Sequence, residues 1–151
     1  MVKSTTIRTI LSIATSSHRP IRQLDISNAF LHGFIDSDIY MERPIGFQDS
    51  SHPDYVCKLS KSLYGLKQAP RPWFHRLTSF LHDLGFQASK ADSSLFILHQ
   101  GALKFYVLIY VNDILLTCFD SKKLDWFLSK IKKTFPVRDL GSLHFFLGIE
   151  A

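Results

Sequence analysis

The residues of this chain best placed to do chemistry are polar ones set among apolar runs. Asp25 lies in the stretch "IRQLDI", and Asn112 and Asp113 interrupt "YVLIYVNDILL". Carboxylates are the natural oxygen ligands of a hard divalent cation, so an acid in a strand and an acid at a turn could be parts of a metal site. Local pattern alone gives a plainer reading. Two polar residues between Val111 and Ile114 match a two-residue hairpin loop, in which Asn tolerates positive φ. The spacing by itself leaves both readings open: a simple turn, or what remains of a two-carboxylate site.

The elements that must position these residues can be read from periodicity. Ile7, Ile10, Leu11 and Ala14 recur at helical spacing behind the capping candidates Ser4 and Thr5, and the helix ends before His18-Arg19-Pro20. Ile21 to Ile26 reads as a strand carrying Asp25, and Asn28 to Gly33 as one helical turn. Asp38 to Met41 and Tyr55 to Leu59 read as two strands around a connection rich in Pro, Gly, Asp and Ser. Pro70 and Pro72 suit a helix start, Trp73, Leu77, Phe80, Leu81 and Leu84 form its apolar stripe, and Gly85 stops it. Leu95 to Leu98, Lys104 to Val111 and Ile114 to Phe119 read as strands, the middle one apolar on both faces as a central strand is. Leu124, Phe127, Leu128 and Ile131 stripe a helix capped by Ser121, and Leu143 to Ile149 reads as a last strand. The mixture predicts an α+β fold, an antiparallel sheet with helices packed on one face, without an internal domain boundary.

Composition narrows the function classes. The 151 residues fit one domain, and 46% hydrophobic with 21% charged residues is globular. A net charge of +5 permits an anionic partner such as nucleic acid. Its densest run, Lys122, Lys123, Lys130, Lys132, Lys133 and Arg138, is interleaved with Asp125 and Asp139 and reads as a solvated helix face. Cys57 and Cys118 lack metal-type spacing and read as reduced, largely buried thiols; the seven His form no ligand cluster. The longest apolar run, from Phe105 to Val111, is far too short to span a bilayer, which together with the lack of a signal segment points to an intracellular, cytoplasmic chain with no membrane partner.

Six strings then occur in one order: "QLDISNAFLHG", "YMERPIGF", "KLSKSLYGLKQAPRPWF", "GFQASKADSSLF", "YVNDILL" and "DLGSLHFFLGIE". Together they resemble the reverse transcriptase of copia-type LTR retrotransposons over nearly the whole chain. The resemblance implies a polymerase palm with a ferredoxin-like core, and a partial reverse transcriptase domain over residues 1–151 comprising the palm and part of the fingers, the thumb being absent. It implies RNA-directed DNA polymerisation, with an RNA or DNA primer–template and deoxynucleotide triphosphates as partners and Mg²⁺ or Mn²⁺ as cofactor. It places Asp25 and Asp113 as metal ligands, with Asn112 as the third member of the catalytic set. It places Phe30 under the incoming sugar, Gly65, Lys67 and Gln68 against the incoming nucleotide, and Tyr110, Arg71, Leu147 and Gly148 against the nucleic-acid strands.

One departure from the family pattern matters. Asn112 stands where the family has the first of two adjacent hairpin aspartates. An amide offers one neutral oxygen in place of a charged pair. At an effective dielectric of about 20, a unit charge near 4 Å is worth roughly 4 kcal/mol per unit of partner charge before desolvation. Metal is therefore expected to bind weakly or not at all. With the upstream fingers segment and the thumb also missing by comparison with the family, the chain is expected to be inactive as it stands. The alternative outside polymerases is a small basic α+β RNA-binding module whose sheet aromatics stack bases.

Overall fold

A computed structural model describes residues 2–143, 145–146 and 149–150 of the chain. Two compact units emerge, one formed by residues 1–28 and 79–151 and the other by residues 29–78.

The first unit is built on a six-stranded antiparallel sheet. Its strands are β1 (Ile21–Ile26), β4 (Gln87–Ala88), β5 (Leu95–Gln100), β6 (Leu103–Tyr110), β7 (Asp113–Thr117) and β8 (Val137–Ser142), in the order β4-β5-β6-β7-β1-β8. β1 therefore lies between β7 and β8, both of which come much later in the chain. Three helices accompany the sheet among the described residues: α1 (Ser4–Ser16), α2 (Pro70–Asp83), whose last residues belong to this unit, and α3 (Ser121–Thr134). A short ribbon, β9 (Phe145–Phe146) with β10 (Ile149–Glu150), follows β8.

Helices cover both faces of this sheet, not one as the sequence suggested. Ile7 and Ile10 of α1 pack in one cluster with Leu95, Leu108, Leu115, Leu143 and Phe146. The alternate residues of the same strands point the other way. There Phe105 meets Phe86 and Phe127 of α3 edge to face, with ring centroids 5.3 Å apart in each case, and Phe80 of α2 meets Phe135 at 5.4 Å. Such aromatic pairs add about 0.5–1.5 kcal/mol each beyond the area they bury. The cause is β6 itself. Leu108 on one side and Phe105, Val107 and Ile109 on the other are all buried, so each face needs a cover.

Several boundaries differ from the sequence reading for local reasons. Asp120, not Ser121, caps α3, its carboxylate accepting the backbone N–H groups of Lys122 and Lys123. Neither Ser4 nor Thr5 caps α1. The first residue outside that helix is Lys3, and the capping acceptor comes from 89 residues away: Asp92 accepts from the Lys3 backbone N at 2.9 Å and from Thr6 Oγ1 at 2.6 Å. The same carboxylate accepts the Ser94 N–H at 2.9 Å. β8 was not foreseen at all; "VRDLGS" is a polar edge strand with a register shift opposite Gln23 and Leu24. Cys118 is buried as expected, whereas Cys57 is partly exposed. No helix among the described residues is long and apolar enough to cross a membrane.

In the second unit a 3-10 turn, Ala29–His32, leads into an antiparallel ribbon of β2 (Tyr40–Met41) and β3 (Cys57–Lys58), shorter than the strands read from sequence. Gly33 explains how this unit closes. A Cβ there would lie 2.7 Å from the Trp73 backbone N and 2.9 Å from Pro72 Cβ, so only glycine lets the turn approach the start of α2. The ribbon side of the unit leaves Ile45 and Phe47 exposed, at 96% and 77%.

Two predictions follow from these contacts. Gly33→Ala has rigid backbone as its obstacle and is expected to cost about 1–3 kcal/mol in urea unfolding. Asp92→Asn is expected to cost about 1.5–3 kcal/mol at neutral pH, the worth of hydrogen bonds to a charged acceptor. Burial alone would raise the Asp92 pKa, but hydrogen bonds from Thr6, Lys3 and Ser94 outweigh it and hold the carboxyl below its usual value. That stabilisation exists above the unfolded-state pKa and is lost as pH falls through the lower folded-state value. The gap between Asp92→Asn and the unmodified chain should therefore narrow in melting curves taken below about pH 4.

Candidate active site

The hairpin of β6 and β7 ends in a loop of two residues, one position earlier than the sequence suggested. Tyr110 pairs with Asp113, so the loop is Val111-Asn112 and Asp113 opens β7. The positive φ also falls elsewhere: Val111 has φ 56°, and Asn112 is not among the positive-φ residues. Positive φ at the first loop position alone has the sign pattern of a type II′ turn, where Gly is usual. A β-branched residue in the left-handed region costs about 1–2 kcal/mol, so the tip carries local strain.

Strand pairing brings this tip to Asp25. Asp25 is directly opposite Asp113 in the antiparallel register of β1 and β7. One step further, the Ile26 backbone N–H donates to the Asn112 carbonyl at 2.9 Å. Side chains alternate along a strand, so Gln23 and Asp25 share the face that carries Ile21, while Leu24 and Ile26 are buried on the other. Tyr110, opposite Asp113, packs against the α1-side cluster, its ring 6.5 Å from that of Phe146. The acids therefore lie on the α1 face of the sheet, at its end.

The decisive contact is between side chains. Asn112 Nδ2 donates to Asp25 Oδ1 at 2.6 Å. An ionised carboxylate can only accept, so the amide must present its nitrogen and turn its oxygen away. Gln23 Nε2 makes a longer contact to Asp113 Oδ1, at 3.5 Å. Burial raises the Asp113 pKa above its usual value; the Gln23 hydrogen bond opposes this and the neighbouring Asp25 charge adds to it. Gln23 had been given no role from sequence. Its signal was there, since a residue two before Asp25 in a strand must share its face.

Phe30, Gly65, Lys67, Gln68 and Arg71 belong to the second unit. Phe30 is half-buried, with its ring centroid 4.8 Å from that of exposed Tyr64. Gly65 has φ 92° with open space around its Cα, and Lys67, Gln68 and Arg71 are exposed on the approach to α2 and in its first turn. Trp73 is 1% exposed, as a core residue should be. Leu147 and Gly148 lie outside the described residues.

The donor set can be tested against a divalent cation. Asp25 and Asp113 supply two facing carboxylates, and Asn112 supplies a donor nitrogen where a ligand oxygen would be needed. Among the described residues no three His, Cys, Asp or Glu side chains form a metal-holding group. With the amide turned this way, the end of the sheet presents two carboxylates and no third oxygen ligand, one charge short of three acids.

Comparison with known proteins identifies the lineage of this arrangement. The family model described as reverse transcriptase (RNA-dependent DNA polymerase) matches residues 1–151. The chain is 50% identical to the retrovirus-related Pol polyprotein from transposon RE1 of Arabidopsis thaliana, over 100% of the chain and 10% of that relative. It is 39% identical to the corresponding polyprotein from transposon TNT 1-94 of Nicotiana tabacum, over 99% of the chain and 11% of the relative. It thus spans about a tenth of the length of these relatives. No solved structure gives a significant match. With its whole length matched, the chain belongs to the reverse transcriptase family of copia-type retrotransposon Pol polyproteins.

Proposed function

We propose that this chain is the catalytic-core segment of a retrotransposon reverse transcriptase whose metal-binding end has been closed by Asn112. Family membership supplies the ancestral activity, RNA-directed DNA polymerisation on a primer–template from deoxynucleotide triphosphates, and the family generally uses Mg²⁺. Residues 1–151 are read as a partial reverse transcriptase domain. The order β8-β1-β7-β6, with crossovers through α2 and α3, matches the split βαβ arrangement and supports a palm with a ferredoxin-like core. The inserted unit, residues 29–78, is read as part of the fingers.

In this reading Asp25 and Asp113 are the surviving metal ligands. Phe30 excludes a ribose hydroxyl by bulk, Gly65, Lys67 and Gln68 face the incoming nucleotide, and Tyr110 and Arg71 meet the nucleic acid. The observation that carries the loss of activity is the 2.6 Å bond from Asn112 to Asp25. It occupies one oxygen of the Asp25 carboxylate with a donor, so that oxygen is not free to meet a cation. Each 1.36 kcal/mol of transition-state stabilisation forfeited is about tenfold in rate, so a missing charge at this centre is enough to silence the step.

Primer extension with Mg²⁺ or Mn²⁺ is the direct test. The unmodified chain is expected to incorporate no nucleotide, and extension by it would end the proposal. Asn112→Asp gives a readout that does not depend on activity. Replacing the donor with a third carboxylate breaks a hydrogen bond to a charged group, and is expected to lower stability by about 1.5–3 kcal/mol in EDTA. Millimolar Mn²⁺ should restore much of the loss in Asn112→Asp and leave the unmodified chain's melting temperature unchanged. Equal responses to Mn²⁺ in both chains would count against the role given to the amide.

Asp113 makes a further prediction. Its folded-state pKa is raised, so ionising it costs stability, and that cost sets in as pH rises from the unfolded-state value through the folded-state value. Asp113→Asn is therefore expected to melt at a higher temperature than the unmodified chain at neutral pH. The advantage should vanish below about pH 4, where both states of the acid are protonated.

A further inference from the structure

Two registers run along α3. Leu124, Phe127, Leu128 and Ile131 are buried and form the core-facing stripe. Lys122, Lys123, Trp126, Lys130 and Lys133 fall on the opposite side, within about 100° of the helix circumference at 3.6 residues per turn. Asp125 and Lys132 lie outside that arc. Lys132 is bonded to Asp139, at 3.4 Å, together with Arg22 at 2.7 Å. Among the described residues none of the four stripe lysines makes an ion pair with an acid. Lys123 is held in place by an aromatic ring, its Nζ 4.0 Å from the centre of the half-buried Trp126.

The face of the sheet is equally informative. α3 covers the side reached by Phe105, and Leu24 and Ile26 lie on that side of β1. Asp25 and Asp113 are on the other. A polyanion lying on α3 would therefore make contacts separate from those at the hairpin tip.

We propose that the outer face of α3 is a second nucleic-acid surface, which binds the phosphate backbone of a single strand without reading its sequence. From Lys122 to Lys133 the stripe is about 16 Å long at 1.5 Å per residue. A stacked strand places a phosphate about every 3.4 Å, so four lysines suit a run of about five phosphates. Lysine is a point charge on a flexible stem, suited to phosphate contact and poorly suited to reading base edges. The expected affinity is that of sequence-independent binding, roughly 10⁻⁴–10⁻⁶ M at physiological salt. The surface stands or falls independently of whether the tip binds metal.

The test is fluorescence anisotropy with a labelled single-stranded 20-mer across a salt series. It compares the unmodified chain with Lys122→Gln/Lys123→Gln/Lys130→Gln/Lys133→Gln. The control, Lys58→Gln/Lys61→Gln/Lys90→Gln/Lys104→Gln, removes the same charge elsewhere. Losing four contacts at about 0.7 each should flatten the slope of log K against log salt by about 2–3 and weaken binding at least about tenfold near 100 mM salt, with the control changing less than about threefold. Circular dichroism checks that both variants fold. Equal weakening in the two variants, no binding by the unmodified chain at low salt, or displacement by polyglutamate at matched charge would each overturn the proposal. Made in the Asn112→Asp background, the same four lysine substitutions should flatten the slope by the same amount, about 2–3, which separates failure here from failure at the tip.

Discussion

The hydrogen bond from Asn112 to Asp25 decides what the end of this sheet can be. Strand pairing forces Asp25 and Asp113 to face one another, and the hairpin tip has nowhere else to go. With a third carboxylate at position 112, three negative charges would crowd a half-buried end and require a cation. The amide carries no charge and supplies a donor to Asp25, so this end of the sheet is bonded within the fold. The relief is partial. Asp113 is still harder to ionise than an ordinary aspartate, and Val111 still holds a strained backbone. Both costs fall at the hairpin tip and the acid beside it, where the strand register fixes the geometry.

Everything else in the first unit serves the strands that make this meeting. β6 is buried on both sides, so the sheet is a middle layer between α1 and α3, with the last residues of α2 beside α3. Asp92 fastens the start of α1 from a distant loop. The two-sided cover also keeps two groups of side chains apart. The acids open on one face, and the lysine stripe of α3 points away from the other.

Much of this was legible in the residues because the strong signals were local. Pro70 marked the start of α2, and the double-sided apolar run of β6 marked a central strand. The same run implied two covers, though a single helix layer was inferred from the mixture of strands and helices. Signals that depend on distant partners were missed. β8 has no apolar alternation because it is an edge strand, and Asp92 looked like any loop acid until folding brought it to α1. The hairpin was placed one residue late because Asn is the usual host of positive φ, whereas here tertiary pairing puts that conformation on Val111. The convergence of Asp25 with the tip was legible through the ordered motifs. The self-closure by Asn112 was not, since an amide in a sequence does not declare which of its atoms will face a neighbour.

The position of β1 between β7 and β8 has a consequence for how the molecule comes into being. Asp25 is 87 residues from Asn112, and Arg22 is 117 residues from its ion-pair partner Asp139. Non-local pairing of this kind is slow, because the loop must close before any contact rewards it. During synthesis the first strand leaves the ribosome long before either flank exists. At about 5–20 residues per second it waits several seconds for them. The docking of β1 is thus a late step in assembling the sheet, and a nascent chain that stalls before residue 113 holds that strand without β7 or β8 to pair with.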